Sequence, residues 1–367
     1  MEKLYKIQMG KAKCAVDLGD GSERGEYVDQ DYILRKLGRP HRSISLMYCY
    51  YPLDEQWPAR ISEAMKDANV SFQWDYPYDD YFTYKGGLGG TLDDEPFTCM
   101  RDVRRHGQDV TLTLTIDPHV SDEQLAAIGD DLRTFGRVFL RINHEATGNW
   151  FSFDKRATYQ EVADFYCRAS RIIKEHAPNV QTILCIGGVE NPETGEIEKE
   201  KEFSQAVRET DIWSVDKYMS LHWGWPYDVA EPGGTSHNRN AVKDVYRDTK
   251  LSYERFKHIN GGVEKPMVMS EFNADGDVTG VYEQAEMVKL FCDFIKEDNA
   301  EWFSGFTFYQ FRDRGRLGLE IEDPNNRNVG VEQPVMKTYK EIIHDDWFKP
   351  SMTCLLYTSP SPRDSTS

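Results

Sequence analysis

Apolar and polar residues alternate in short blocks along most of this chain, and the period of the alternation keeps switching. In "DVTLTLTID" (109–117), Val110, Leu112, Leu114 and Ile116 share one parity, and Thr111, Thr113, Thr115 and Asp117 share the other. A period of two marks a strand whose faces meet different surroundings. The next block, "SDEQLAAIGDDLRTFG", takes a helical period and opens with Ser121 and Gln124 at capping-box spacing. "RVFLRINHE" (137–145) then reads as a strand. After it, "TYQEVADFYCRASRIIKEHAPN" reads as a helix that starts at a second box, Thr158 with Glu161. Its Val162, Phe165, Tyr166, Ala169 and Ile173 form one apolar face.

The same rhythm runs through the body of the chain. Strand-like runs at 44–51, 70–76, 109–117, 137–145, 180–188, 216–223, 266–273 and 305–313 are each followed by a helical pattern. Eight such units predict an α/β fold, a (β/α)8 TIM barrel forming a single domain over residues 41–349. An open doubly wound sheet also alternates, but short αβ turns with long βα loops suit the closed ring better. A barrel strand packs one face on helices and turns the other into a narrow interior. The polar parity of 109–117 is therefore expected inside, as are Ser71, Gln73 and Asp75 of "VSFQWDY". Residues 1–40 read as an N-terminal extension. Residues 350–367, rich in Ser, Thr and Pro and without periodicity, read as a non-native or disordered tail outside the fold argument.

Active sites of such barrels lie at the C-terminal ends of the strands. Those ends hold Asp75, Asp117, His144 with Glu145, His222 with Trp223, Glu271, and Arg312 with Asp313. Parity places Glu145 with Arg141 and Asn143 on the inner face, with Val138, Leu140 and Ile142 toward the helices. It likewise places Glu271 with Met267 and Met269 inside, and Val268 and Ser270 outside. One strand-end glutamate is as well explained by an ion pair at the mouth. Two across one mouth are the machinery of glycoside hydrolysis, in which one carboxyl is protonated and the other ionised. Arg141 cannot give up its proton, so it needs an anionic partner. It is expected to reach Glu271 and keep that group charged.

Composition sharpens this picture in three ways. Aromatic residues are abundant, with 20 Tyr, 18 Phe and 8 Trp. Trp150, Trp223 and Trp225 follow strand ends and are candidate platforms for sugar rings, whereas Trp57, Trp213, Trp302 and Trp347 sit where packing is expected. The net charge of −18 argues against nucleic-acid phosphates and anionic membranes as partners. Seven scattered cysteines fit reduced thiols rather than a disulfide framework, and no spacing calls for a metal or cofactor. "YKGGLGGT" (84–91) lacks the Lys-Ser/Thr of a phosphate loop and reads as a mobile edge of the cleft. With no apolar leader and no run of membrane-spanning length, the expected place is soluble and cytoplasmic as written. An incomplete N-terminus would leave room for export.

"LRINHEATGNWF", through Arg141, His144, Glu145, Gly148, Trp150 and Phe151, resembles the strand-four signature of glycoside hydrolase family 26, a branch of the clan A (β/α)8 glycosidases. "KPMVMSEF" is similar to that family's strand-seven segment. The resemblance implies a retaining double displacement with Glu145 as acid/base and Glu271 as nucleophile, their carboxyl groups roughly 5 Å apart. The residues expected to hold substrate are Arg141, His144, Trp150, His222, Trp223, Trp225, Phe311 and Arg312. Ala146-Thr147 and Phe311-Arg312 depart from the family's usual Met-Asn and Trp-Arg, and Trp223 aligns with its strand-six tyrosine. The implied substrate is a β-linked oligo- or polysaccharide (mannan, mixed-linkage glucan or xylan), attacked within the chain. Two other classes remain open. One is a metal-dependent barrel using His144, Glu145, His222 and Glu271 as ligands; the other is a sugar-binding barrel without catalysis.

Overall fold

The computed structural model describes residues 15–20, 28–57, 82–222, 237–313 and 315–349. Its centre is a closed ring of eight parallel strands. In chain order these are β1 (Ala15–Asp20), β2 (Ser43–Tyr50), β3 (Asp109–Ile116), β4 (Val138–Ile142), β5 (Val180–Cys185), β6 (Ile212–His222), β7 (Met267–Ala274) and β8 (Phe303–Phe308). Each strand pairs with the next, and β8 pairs with β1 to close the ring. Helices α1 (Gln30–Leu37), α2 (Phe97–Arg105), α3 (Asp122–Leu132), α4 (Ser152–Arg156), α5 (Tyr159–His176), α6 (Glu200–Glu209), α7 (Val242–Ile259), α8 (Gly276–Thr279), α9 (Val281–Glu297) and α10 (Pro334–His344) lie between strands or follow the last one. The (β/α)8 barrel expected from the alternation is the fold.

The identity of the first two strands is a correction. β2 pairs directly with β3 along its whole length, Ser43 with Asp109 through Tyr50 with Ile116. The ring therefore takes its extra strand from β1, within the stretch read as an extension, and the boundary at residue 41 does not separate it from the barrel. "AVDLGD" carries acidic residues and a glycine and is too short to show a strand period. The run at 70–76, Asp75 included, and the tail at 350–367 lie outside the described residues.

Local chemistry accounts for much of the rest. Both capping boxes form: Ser121 and Gln124 exchange bonds at the start of α3, as do Thr158 and Glu161 at the start of α5. The apolar face of α5 is buried as its spacing requires. Val110, Leu112, Leu114 and Ile116 lie in the layer beneath the helices. The threonines of β3 point inward, where Thr111 Oγ1 meets Ser43 Oγ at 2.8 Å. Phe139, Ile183, Ile212 and Val268 form a separate apolar plug inside the barrel, with the Arg42 guanidinium 5.3 Å from the Phe139 ring centre. The glycine-rich loop is tied to α3, since Gly87 N–H and the Tyr84 hydroxyl both donate to Asp131 Oδ2, at 2.6 and 2.8 Å. Among the described residues, no helix is long and apolar enough to cross a membrane.

β7 departs from simple alternation. Met269 pairs with Val215 on one side and Phe306 on the other, while Phe272 pairs with Lys217 and Phe308. Three steps along β7 thus match two on each neighbour, which is a β-bulge at Ser270-Glu271. It reverses the face assignment expected for this strand. Met267, Met269 and Phe272 belong to the helix-facing core, and Val268 lies inside. Ser270 also points inward, its Oγ 2.6 Å from Ser214 Oγ. Without the extra residue, Glu271 would share the outward parity of Met269.

Candidate active site

β4, β6 and β7 carry the polar groups that meet at the mouth of the barrel. Arg141, 1% exposed, spreads its guanidinium over three acceptors. Nε donates to Thr113 Oγ1 at 2.7 Å, Nη1 to Asp216 Oδ2 at 3.0 Å and Nη2 to Glu271 Oε1 at 2.9 Å. A buried cation is tolerable only when paired and hydrogen-bonded in this manner. The contact with Glu271 is the one expected from parity on β4. The other oxygen of Glu271 accepts from the Tyr218 hydroxyl at 2.8 Å, and its backbone N–H donates to Asp216 Oδ1 at 2.8 Å. The bulge that turns Glu271 inward is thereby fastened by the carboxylate beside it.

Glu145 faces this group from the end of β4. Oxygens of Glu145, Asp216 and Glu271 all lie within 4.8 Å of one another. Burial, then the charges of Glu271 and Asp216, push the Glu145 carboxyl well above the usual carboxylate range. Asp216 is pushed up to about 7 by burial and by Glu271, against the pull of Arg141. His144 is buried, with its imidazole held well below its ordinary value by burial and by Arg141, so it is neutral. Its Nε2 lies 3.7 Å from Glu271 Oε1, and its ring packs on Phe151 with centroids 4.6 Å apart. The chain leaves β4 through two left-handed residues, Asn143 (φ 45°) and Glu145 (φ 51°). Asn143 is a pin rather than part of the mouth: its side-chain amide bonds both the N–H and the C=O of Ile116, at 2.6 and 3.1 Å.

The other residues singled out from sequence divide sharply. Trp150 reaches Glu145, its Nε1 donating to Oε2 at 2.9 Å. His222 caps β6, with Nδ1 against Asp275 and its N–H donating to Asp275 Oδ2 at 3.1 Å. Trp223 and Trp225 lie outside the described residues. Phe311 and Arg312 are corrections. β8 ends at Phe308, and the chain turns into a small sheet of residues 312–313, 320–323 and 326–332. Phe311 is buried edge-on to Tyr32, and Arg312 is buried against Glu320, so neither lines the cleft. Asp117 takes Arg156 at 2.7 Å, and Asp313 Oδ2 accepts the Leu317 N–H at 3.3 Å. Trp213 is buried, and Trp57, Trp302 and Trp347 pack against the core, as expected.

Three site residues escaped the sequence reading. Asp216 and Tyr218 stand two apart on β6, one parity that also includes Ser214. That period is legible in "SVDKYMSLH", but these residues stand in the middle of the strand and not at its end. Tyr309, just past β8, sets its ring perpendicular to Tyr218 with centroids 6.3 Å apart. The Glu145–Asp216–Glu271 trio is, among the described residues, the one acidic grouping close enough to hold a metal ion. Two of its members already accept from Arg141, at 3.0 and 2.9 Å. The ligand set His144, Glu145, His222 and Glu271 does not converge, because His222 is turned to Asp275.

No family sequence model matches the chain, and no curated protein matches it in sequence. Solved structures do match in fold. A modular endo-β-1,4-mannanase of glycoside hydrolase family 26 from Cellulomonas fimi superposes with a TM-score of 0.57 at 10% identity, over 98% of this chain and 77% of that one. A family 26 β-mannanase from Bacteroides ovatus gives 0.54 at 10% identity, over 98% and 95%. A family 51 α-L-arabinofuranosidase from Bifidobacterium longum gives 0.53 at 12%, over 90% and 74%. At such identity the likeness is one of fold.

Proposed function

We propose that this protein is a retaining glycoside hydrolase acting on a β-linked polysaccharide. The observation that carries the reading is the pairing of Glu145 and Glu271 across the mouth, with oxygens within 4.8 Å. Retaining enzymes hold their two carboxyl groups about 5–5.5 Å apart, while inverting ones leave about 6.5–9.5 Å for a water. The two environments also differ in the required sense. Burial and the charges of Glu271 and Asp216 favour the protonated form of Glu145, which can pass its proton to the glycosidic oxygen. Glu271 accepts on both oxygens, from Arg141 and Tyr218, and is the group that attacks the anomeric carbon. The C–O bond to the leaving sugar breaks as the proton arrives, and a glycosyl ester forms on Glu271. Glu145, now ionised, takes a proton from water, and that water's oxygen displaces Glu271 with net retention.

Mannan heads the substrate classes because the family 26 neighbours are described as mannanases. Mixed-linkage glucan and xylan follow, with attack inside the chain expected from the long βα loops. A reducing-sugar screen across these polysaccharides, with product sizing, ranks them. Glu271→Ala is expected to lower kcat by about 10⁴-fold or more, with azide or formate restoring turnover as a substitute nucleophile. A 2-deoxy-2-fluoro glycoside should esterify Glu271. Full activity in the alanine variant, or inverted configuration in the first-formed product, would overturn the assignment.

A further inference from the structure

We propose that Trp150 is a positioning residue for the catalytic acid, its indole N–H holding the Glu145 carboxyl turned across the mouth toward Glu271. This rests on the reading of Glu145 as acid/base and assigns Trp150 a role other than a stacking wall. Its Nε1 donates to Glu145 Oε2 at 2.9 Å. The ring lies over its own loop, since a Cβ at Gly148 would come within 2.7 Å of three ring atoms. The turn is closed by Gly148 N–H donating to Glu145 O at 2.8 Å, with Glu145 itself left-handed at φ 51°. One ring face is therefore covered by Gly148, and the single polar atom of the side chain is spent on Glu145. Trp150 remains 38% exposed, and the glycine beneath it lets its ring sit close against the loop backbone.

Around Glu145 stand Glu271 on β7, Asp216 on β6, Arg141 on its own strand and the buried Cys185 thiol on β5. Both neighbouring carboxylates and burial favour the protonated form; Arg141 and the indole N–H oppose them. Of these, Trp150 alone can be altered without disturbing the Arg141 fork. Its N–H is a fixed donor that stabilises the ionised form, the form needed when Glu145 acts as base in the second step.

The chain has eight tryptophans, so indole 15N–1H spectra resolve the question without a substrate. The cross-peak lost in Trp150→Phe identifies Trp150. That peak is expected to titrate, and to stop titrating in Glu145→Gln while the other indoles are unmoved. In activity, the basic limb of kcat/KM on an aryl β-glycoside should move up by about one pH unit in Trp150→Phe, which removes a donor to the charged form. Gly148→Ala, which displaces the ring, should move it the same way. An indole indifferent to Glu145→Gln, or a lower rate with an unmoved basic limb, would overturn the proposal. If instead Glu145→Gln keeps the wild-type basic limb, the assignment of Glu145 as acid fails while the indole titration still reports on the contact.

Discussion

The barrel mouth and the small sheet beyond β8 each bury an arginine against glutamate, and the two pairs differ in what surrounds them. Arg312 and Arg141 are equally enclosed, at 1% exposure. Arg312 gives both Nε and Nη2 to Glu320 Oε1, at 3.2 and 3.0 Å, while Tyr32 donates to the other oxygen at 2.8 Å. Gly330 leaves just enough room for that carboxyl, since a Cβ there would sit 2.2 Å from it. Both side chains are sealed from solvent. Arg141 instead faces three carboxyl groups, one of them at the edge of the cleft. One cation cannot satisfy three anions in a buried place, so protons must be held there. Three carboxyl groups around one arginine distinguish the mouth from the sealed pair.

Substitutions at the two arginines test that contrast, and the largest effect is expected at the mouth. Arg141→Met should lower kcat/KM roughly 100- to 1,000-fold by leaving Glu271 without its fixed donor. An activity loss no larger than that of Arg312→Met would remove the distinction. Arg312→Met should cost about 3–5 kcal/mol in urea unfolding by stranding Glu320. Its kcat/KM, measured where the protein is folded, should stay within about twofold. Replacing both partners, Arg312→Met with Glu320→Leu, should recover most of that stability, because a buried pair contributes little beyond apolar packing.

The smallest effect concerns pH. The carboxyl of Asp216 is raised in the folded state from 3.8 to about 7. A group so raised contributes stability in full below the unfolded value, and that contribution is lost as pH climbs through the folded value. Wild-type stability should therefore fall between about pH 4 and pH 7, and Asp216→Asn should flatten that fall. Superimposable curves for the two proteins would count against a protonated Asp216 in the imbalanced cluster.

Much of this was legible before the fold. Alternation in 109–117 and 137–145 assigned inner and outer faces correctly, and the spacing of Ser121 with Gln124 and of Thr158 with Glu161 marked two helix starts. Arg141 was rightly paired with Glu271. Glu271 was reached through the wrong parity, because the bulge shows itself only in the register with both neighbours. Phe311 and Arg312 were misplaced because an apolar-aromatic run continues past Phe308, where the strand stops. Asp216 and Tyr218 were overlooked because β6 is eleven residues long, so its middle rather than its end stands level with the site.

The sequence by itself determined the repeating strand–helix plan and the helix caps, since each depends on residues a few positions apart. The tertiary structure alone decided which strand closes the ring, which way β7 turns its side chains, and which carboxylates share one arginine. Arg141 and Glu271 are 130 positions apart. No local period encodes such a meeting; it follows from closing eight strands around one interior and from a single inserted residue that reverses a face.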